Sequence, residues 1–401
     1  MRHLKSLPEF ILLYIKCHPQ LWHHVLLIHQ EREMEMEEGM MNYAGAGSGQ
    51  KLEGELGRFI KVSTSVVISL SYCFIAGKLI RKGKPRLFSF IPIVIFFLTL
   101  PLSLQSVHLC GSVAFFVTWL ANFKILLLAF DKGPLSDPSL SLSRFIALAC
   151  FPIKIDRKSS NNQSSTSSKK VNSSVWIYLI KCLLVSLFIK SKYNSRNLNP
   201  TLVLAILCLH TYLVLELTMA LVAAISRFSL GLDLEAQFNE PYLSSSLQDF
   251  WGRRWNVMVS RILRPTVYDP TMWVASRFVG RKWAPLVAVF NTFIVSAIMH
   301  EIIFLYLGRR RPTFMISWFF VFHGFCLVVE ITLKKLNEGC GGFGLPRMVA
   351  TILTMGFVLV TASWWFFPEI IRCKAESRAF DEYAIVGAFF RRRIIGDFKF
   401  M

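Results

Sequence analysis

The stretch NTFIVSAIMHEIIFLYL, residues 291–307, decides how this sequence is read. It is an apolar run carrying two adjacent ionisable residues, His300 and Glu301. A helix of this length crosses most of a bilayer's hydrocarbon core. Ionisable groups inside such a helix are costly to insert and are read first as functional residues. His300 shares its helix face with Thr292, Ser296 and Phe304, at spacings of eight and four. Small hydroxyls on one side and a bulky ring on the other suit a reaction chamber. A neutral imidazole there accepts a hydroxyl proton. The competing reading is a histidine that only ties two helices together. Glu301 projects about 100° from His300 and is expected to pair with a basic loop or another helix.

The rest of the composition agrees with a membrane protein. Of 401 residues, 53% are hydrophobic and only 17% charged, with a mean hydropathy of +0.46. A soluble domain carries about 25% charged residues. The net charge of +20 does not point to nucleic acid, because the Lys and Arg lie between apolar runs. Positive-inside topology and anionic head groups account for that placement. The nine Cys include no CxxC pair, and several lie within apolar runs. Reduced, packed thiols are expected, with neither a disulfide framework nor a metal site.

Taken in order, residues 1–57 are the least membrane-like and read as an N-terminal extension, largely disordered, with the acidic-biased EREMEMEE at Glu31–Glu38. Residues 58–370 form the membrane-embedded domain, and 371–401 a basic tail. Crossings are expected near Val62–Leu79, Leu87–Leu104, Ser112–Phe130, Val175–Ile189, Leu202–Ile225, Asn291–Leu307, Thr313–Leu333 and Val349–Phe367. A tight turn is expected at Gln105–Gly111. Leu140–Pro152 is short for a crossing and reads as re-entrant or interfacial. The basic loop Arg81–Arg86 is placed in the cytosol. RKSSNNQSSTSSKK, Arg157–Lys170, is low-complexity and expected to be disordered. The Gly-rich KKLNEGCGGFGLP, Lys334–Pro346, lacks the GK[ST] ending of a phosphate loop and reads as a turn. The fold class is therefore all-α, a polytopic helical bundle of about seven to nine spans.

The second informative place lies 44 residues before His300, at Asn256 in FWGRRWN. Ser246 and Asp249 resemble a capping box, so a helix is expected to start there. Trp251, Trp255, Val259 and Ile262 or Leu263 recur at helical spacing, while Arg253, Asn256, Ser260, Arg261 and Arg264 occupy the remaining surface. Pro265 is expected to end the helix. Read blandly, this is an interfacial helix anchored by its Trp residues. Read sharply, its arginines hold the phosphates of a soluble cosubstrate, because the planar guanidinium donates two hydrogen bonds at once.

The segments PYLSSSLQDFWGRRWNVMVSRILRPTVYDP (241–270) and IVSAIMHEIIFLYL (294–307) resemble the plant wax synthase branch of the membrane-bound O-acyltransferases. FFVTWLANFKILLLAF (115–130), KGPLS at Lys132 and FPIKI at Phe151 resemble the same branch. The resemblance covers about residues 58–370. It implies a helical bundle enclosing a tunnel in the endoplasmic reticulum membrane. It implies transfer of a fatty acyl group from acyl-CoA, a cosubstrate and not a resident cofactor, to a long-chain alcohol. Near relatives esterify sterols or diacylglycerol. The family's active-site asparagine falls on Asn256 and its histidine on His300. Arg253, Arg254, Arg261 and Arg264, with Trp255 among them, are then expected to hold the CoA. Whether the enzyme works as a homodimer is left open.

Two other classes compete. A proton-coupled transporter would use His210, Glu216, His323 and Glu330 as a relay; His323 and Glu330, seven apart, share a face, whereas His210 and Glu216, six apart, do not. The paired broken helices of inverted repeats are not evident. A non-catalytic membrane scaffold would bind no acyl-CoA.

Overall fold

The computed structural model describes residues 47–152, 180–181, 183–184, 187, 200–230, 237–337 and 345–398. The chain divides into two compact units, residues 58–380 and, separately, 1–57 with 381–401. The site lies in the first. All regular structure among the described residues is helical, and seven helices are long and apolar enough to cross a membrane. They are 52–79, 84–103, 107–129, 208–228, 280–308, 315–336 and 347–372. The expected crossing at Val175–Ile189 and the low-complexity loop lie largely or wholly outside the described residues, as do the first 46 residues and the Gly-rich core of 338–344.

In the described chain, α1 is Gly47–Leu79 and α2 is Lys84–Thr99, extended by a 3₁₀ turn over Leu100–Ser103. The third crossing joins α3, Val107–Val113, through a π-helical stretch, Ala114–Ala121, to α4, Asn122–Ala129. The turn expected at Gln105–Gly111 is therefore shorter. Ser106 caps α3, its hydroxyl accepting from the Leu109 N–H at 3.2 Å, so the helix starts at Val107.

A proline in the second crossing explains one of the bonds that hold the third. Pro101 has no N–H to give the Phe97 carbonyl four residues earlier. The Thr118 hydroxyl donates to that carbonyl instead, at 2.7 Å. Asn122 donates to the Val94 carbonyl at 3.2 Å. Inside lipid the Phe97 carbonyl, freed by Pro101, needs such a substitute donor, whereas the Val94 carbonyl takes Asn122 although no proline stands four residues on. Phe90, Phe97, Leu104, Val113, Val117 and Ile125 close the core around these bonds. The short segment at Leu140–Pro152 forms a nine-residue helix, α5, Leu142–Cys150, too short to cross. Buried Lys124 donates to its last carbonyls, Leu148 O at 2.5 Å and Phe151 O at 2.8 Å.

α6, Pro200–Leu230, precedes a series of short pieces. These are α7, Leu247–Asp249; a π turn, Phe250–Arg254; α8, Val257–Leu263; a second π turn, Arg264–Tyr268; and α9, Asp269–Phe278. α10, Gly280–Gly308, is the His300 helix and begins eleven residues before the run that announced it. α11 is Met315–Asn337; α12, Arg347–Thr361, continues through a π turn, Ala362–Phe366, into α13, Phe367–Arg372. α14 is Ala375–Phe398.

α10 and α11 pack tightly. A Cβ on Gly324 would meet the Phe293 Cβ at 2.6 Å, so only glycine permits this approach. Glu301 is buried and accepts from the Phe314 N–H at 3.0 Å, the Ser317 N–H at 3.2 Å and the Ser317 hydroxyl at 2.9 Å. It thus caps the start of the next helix, as its position off the His300 face led one to expect. The Tyr306 hydroxyl donates to Leu98 O at 2.6 Å, tying α10 to the second crossing.

Candidate active site

The continuous helix expected over residues 246–264 is not formed. The helix start is real, with Ser246 as its N-cap and the Asp249 N–H donating to the Ser246 hydroxyl at 3.1 Å; the Asp249 carboxylate pairs with Arg254 and does not complete the box. The helix then widens into the π turn and breaks at Trp255–Asn256. The break is held from outside. Asn239 N–H donates to Arg254 O at 3.0 Å, and Val257 N–H to Gln237 O at 2.9 Å. Residues 237–239 thus take the bonds a continuous helix would make internally. Asn256 sits at the break with φ 43° and ψ 62°, a left-handed conformation that asparagine tolerates better than most residues. Pro265 does not end the helical path either; the π turn accommodates it and runs into α9.

The break turns α8 towards the third crossing. Met258, Ile262 and Leu263 of α8 pack with Phe116 and Leu120 of the π-helical stretch, and Val295 of α10 joins them. Trp251, five residues before Asn256, packs on Phe293, Phe319 and Phe320. Its indole N–H donates to His323 Nδ1 at 3.1 Å. That nitrogen is therefore unprotonated, and His323 Nε2–H donates to the Thr361 hydroxyl at 2.8 Å. Thr361 in turn donates to Phe357 O at 2.8 Å. His323 is fully buried and serves as a clamp between α7's π turn, α11 and α12.

His300 is reached through the same rings. Its imidazole stacks on Phe320 at 4.1 Å and stands nearly perpendicular to Trp119 at 5.3 Å. Nδ1 lies 2.8 Å from the Ser296 carbonyl of its own helix. A carbonyl can only accept, so in the neutral ring Nδ1 carries the proton and Nε2 keeps its lone pair. Nε2 has no hydrogen-bond partner among the described residues. Asn256 is equally uncommitted: its side-chain oxygen is buried without a partner. Two unspent polar side chains thus sit on elements joined through Trp251, Phe320 and α8.

The arginines separate into two groups. Arg253 and Arg254 line a cleft of about 310 Å³ with Ser245, Gln248, Lys334 and Arg347. Arg253 is exposed and free of ion pairs. Arg254 has most of its donors engaged, by Asp249 at 2.7 Å and by the carbonyls of Asn239 and Glu240 at 3.1 and 3.2 Å. Its structural duty is to fix the loop that breaks the helix. Arg261 and Arg264 are exposed and line no part of this cleft; Arg264 lies 4.0 Å from Asp269. Trp255 stacks on Phe250 at 5.4 Å and packs with Phe238, inside an aromatic cluster.

Residues 234–322 match the Membrane bound O-acyl transferase family. Among curated proteins, an acyl-CoA–sterol O-acyltransferase of Arabidopsis thaliana is 46% identical over 338 residues, 82% of this chain and 95% of the relative. The chain belongs to the membrane-bound O-acyltransferase family. A long-chain-alcohol O-fatty-acyltransferase of Simmondsia chinensis is 42% identical over 352 residues, covering 86% of this chain and 99% of that one. A probable long-chain-alcohol O-fatty-acyltransferase of Arabidopsis thaliana is 43% identical over 319 residues, 80% and 91% respectively. As a member of this family the chain is an integral membrane O-acyltransferase.

Among the described residues the groups a transporter relay would use are engaged elsewhere. Glu330 accepts from the Leu247 N–H at 2.8 Å and pairs with Lys334 at 2.6 Å, capping α7. Glu216 pairs with Lys181, and the His210 ring stacks on Phe380 at 5.4 Å. Sequence reading weighed a supporting role around the pocket for His323 but missed its partners, and it missed Trp119 and the two cations Lys334 and Arg347. Trp119 was within reach, since it stands in the FFVTWLANFK motif.

Proposed function

We propose that this acyltransferase moves a fatty acyl group from acyl-CoA to a long-chain alcohol, forming a wax ester in the endoplasmic reticulum membrane. The observation carrying this reading is His300, with Nδ1 committed to Ser296 and Nε2 free to accept a proton. His300 takes the hydroxyl proton as the alcohol oxygen attacks the thioester carbon. The Asn256 amide donates to the thioester carbonyl, where negative charge develops. The carbon–sulfur bond breaks, and the CoA thiolate recovers the proton from His300. No covalent enzyme intermediate is required.

The CoA phosphates are assigned to the cleft of Arg253, Lys334 and Arg347, beside the segment that carries Asn256. Arg253→Ala is expected to raise the KM for acyl-CoA about fivefold, with kcat little changed, as for one partly exposed charge-assisted bond. The same variant should show a flatter salt dependence of KM. An unchanged KM would move the CoA elsewhere.

A sterol acceptor is the second reading, favoured by the 46% identity to the sterol acyltransferase. Microsomes from yeast lacking its own neutral-lipid acyltransferases separate the two. Each preparation receives labelled acyl-CoA with fatty alcohol, sterol or diacylglycerol. Wax ester supports the proposal, ester from sterol alone transfers the function to sterol storage, and no ester from well-expressed protein overturns both.

A further inference from the structure

Trp119 is 2% exposed, and its indole N–H is buried without a hydrogen-bond partner among the described residues. An unpaired donor at the depth of a membrane crossing is a standing cost, because neither water nor lipid can satisfy it. A phenylalanine would pack there without that cost. The ring stands beside His300, 5.3 Å between centroids and 78° between planes. It also lies on the π-helical stretch Ala114–Ala121, and π insertions within helices occur disproportionately at functional sites. The other side-chain donors near it are committed: Thr118 donates to Phe97 O and Asn122 to Val94 O, while Asn122 Oδ1, an acceptor, has no partner among the described residues. Trp119 alone is left with a donor to spend.

We propose that Trp119 is a substrate-binding residue, whose Nε1–H donates to the oxygen of the acceptor alcohol. This rests on the reading of His300 as general base. An indole N–H can only donate, so its partner must be an acceptor. The substrate atom that must lie against the imidazole is the hydroxyl oxygen. That oxygen has one proton, directed at His300 Nε2, and two lone pairs. One lone pair accepts from Trp119 and the other attacks the thioester carbon. As the new carbon–oxygen bond forms, the proton passes to His300 and the thiolate leaves. Two bonds, one given and one accepted, fix the hydroxyl in the attacking orientation. The acceptor required is thus an alcohol that brings its oxygen to the midst of an apolar chamber.

The test compares purified wild type, Trp119→Phe and His300→Ala. Phenylalanine keeps a ring at the site and deletes the N–H. The expected result is a loss of about tenfold or more in kcat/KM for the alcohol. The KM for acyl-CoA should stay the same, and the thermal midpoint in detergent should be unchanged or higher. A structural tryptophan gives the opposite pattern, with lower stability and no selective loss toward the alcohol. Trp119→Tyr, which keeps a ring but displaces the donor, serves as the second variant. Wild-type alcohol turnover in either folded variant overturns the assignment. So does failure of both to fold, since that would make the indole a structural element. Full activity in His300→Ala would sink the general-base reading instead. An inactive His300→Ala beside a fully active Trp119→Phe would sink only this inference.

Discussion

His300→Ala is expected to abolish ester synthesis, with a loss on the order of 100- to 10,000-fold in kcat, and to leave the folded protein intact. The size follows from removing the group that accepts the hydroxyl proton. The intact fold follows from the bonding. Among the described residues the only hydrogen bond His300 makes is to Ser296 of its own helix, so no bond between helices is lost. His323 supplies the contrast. It accepts from Trp251 and donates to Thr361; its removal strands the half-buried Trp251 indole N–H, whereas the Thr361 hydroxyl keeps its bond to Phe357 O. His323→Ala should therefore lower the thermal midpoint, at about 1–3 kcal/mol for the stranded indole N–H. Measuring activity and thermal unfolding on both variants separates the two histidines. A His300→Ala protein with near-normal turnover would remove His300 from the chemistry.

The second large effect belongs to Asn256, and it should be measured with glycine as well as alanine. Asn256 holds a left-handed backbone at φ 43°. Alanine there adds a backbone penalty of about 1–2 kcal/mol to whatever the side chain contributes, whereas glycine adds none. Asn256→Gly is thus the cleaner removal of the amide. A donor to a developing oxyanion is worth about 3 kcal/mol, so kcat should fall on the order of 100-fold in Asn256→Gly. Asn256→Ala should show the same loss together with a lower midpoint. Wild-type kcat in the glycine variant would mean that asparagine is present only for its backbone conformation.

Much of this molecule was legible before any coordinate. Apolar runs long enough to cross a bilayer marked every described span, because a membrane crossing is a local property of about 20 consecutive residues. His300 stood out because an ionisable group in such a run is rare and expensive. The helix start at Ser246 was also local, and its N-cap formed. The continuation through Trp255 and Asn256 was misread for the same reason that the rest was read well. Helical periodicity persists on both sides of the break, and the residues that impose it, Gln237 and Asn239, lie well upstream. The same holds for Pro265, whose helix-breaking tendency is overridden by the π turn.

By itself, then, the sequence determined the class, an all-helical membrane acyltransferase, and singled out Asn256 and His300 as the pair proposed to carry its chemistry. Tertiary structure alone decided how each polar group is spent. It committed Arg254 to the Asn239–Glu240 loop, left Arg253 free in the cleft and put Arg261 and Arg264 outside it. It made His323 a clamp and Trp119 an unpaired donor beside His300. The physical reason is that crossing a membrane depends on neighbours in sequence. Whether a buried donor or acceptor is satisfied depends on neighbours in space, and those come from helices far apart along the chain.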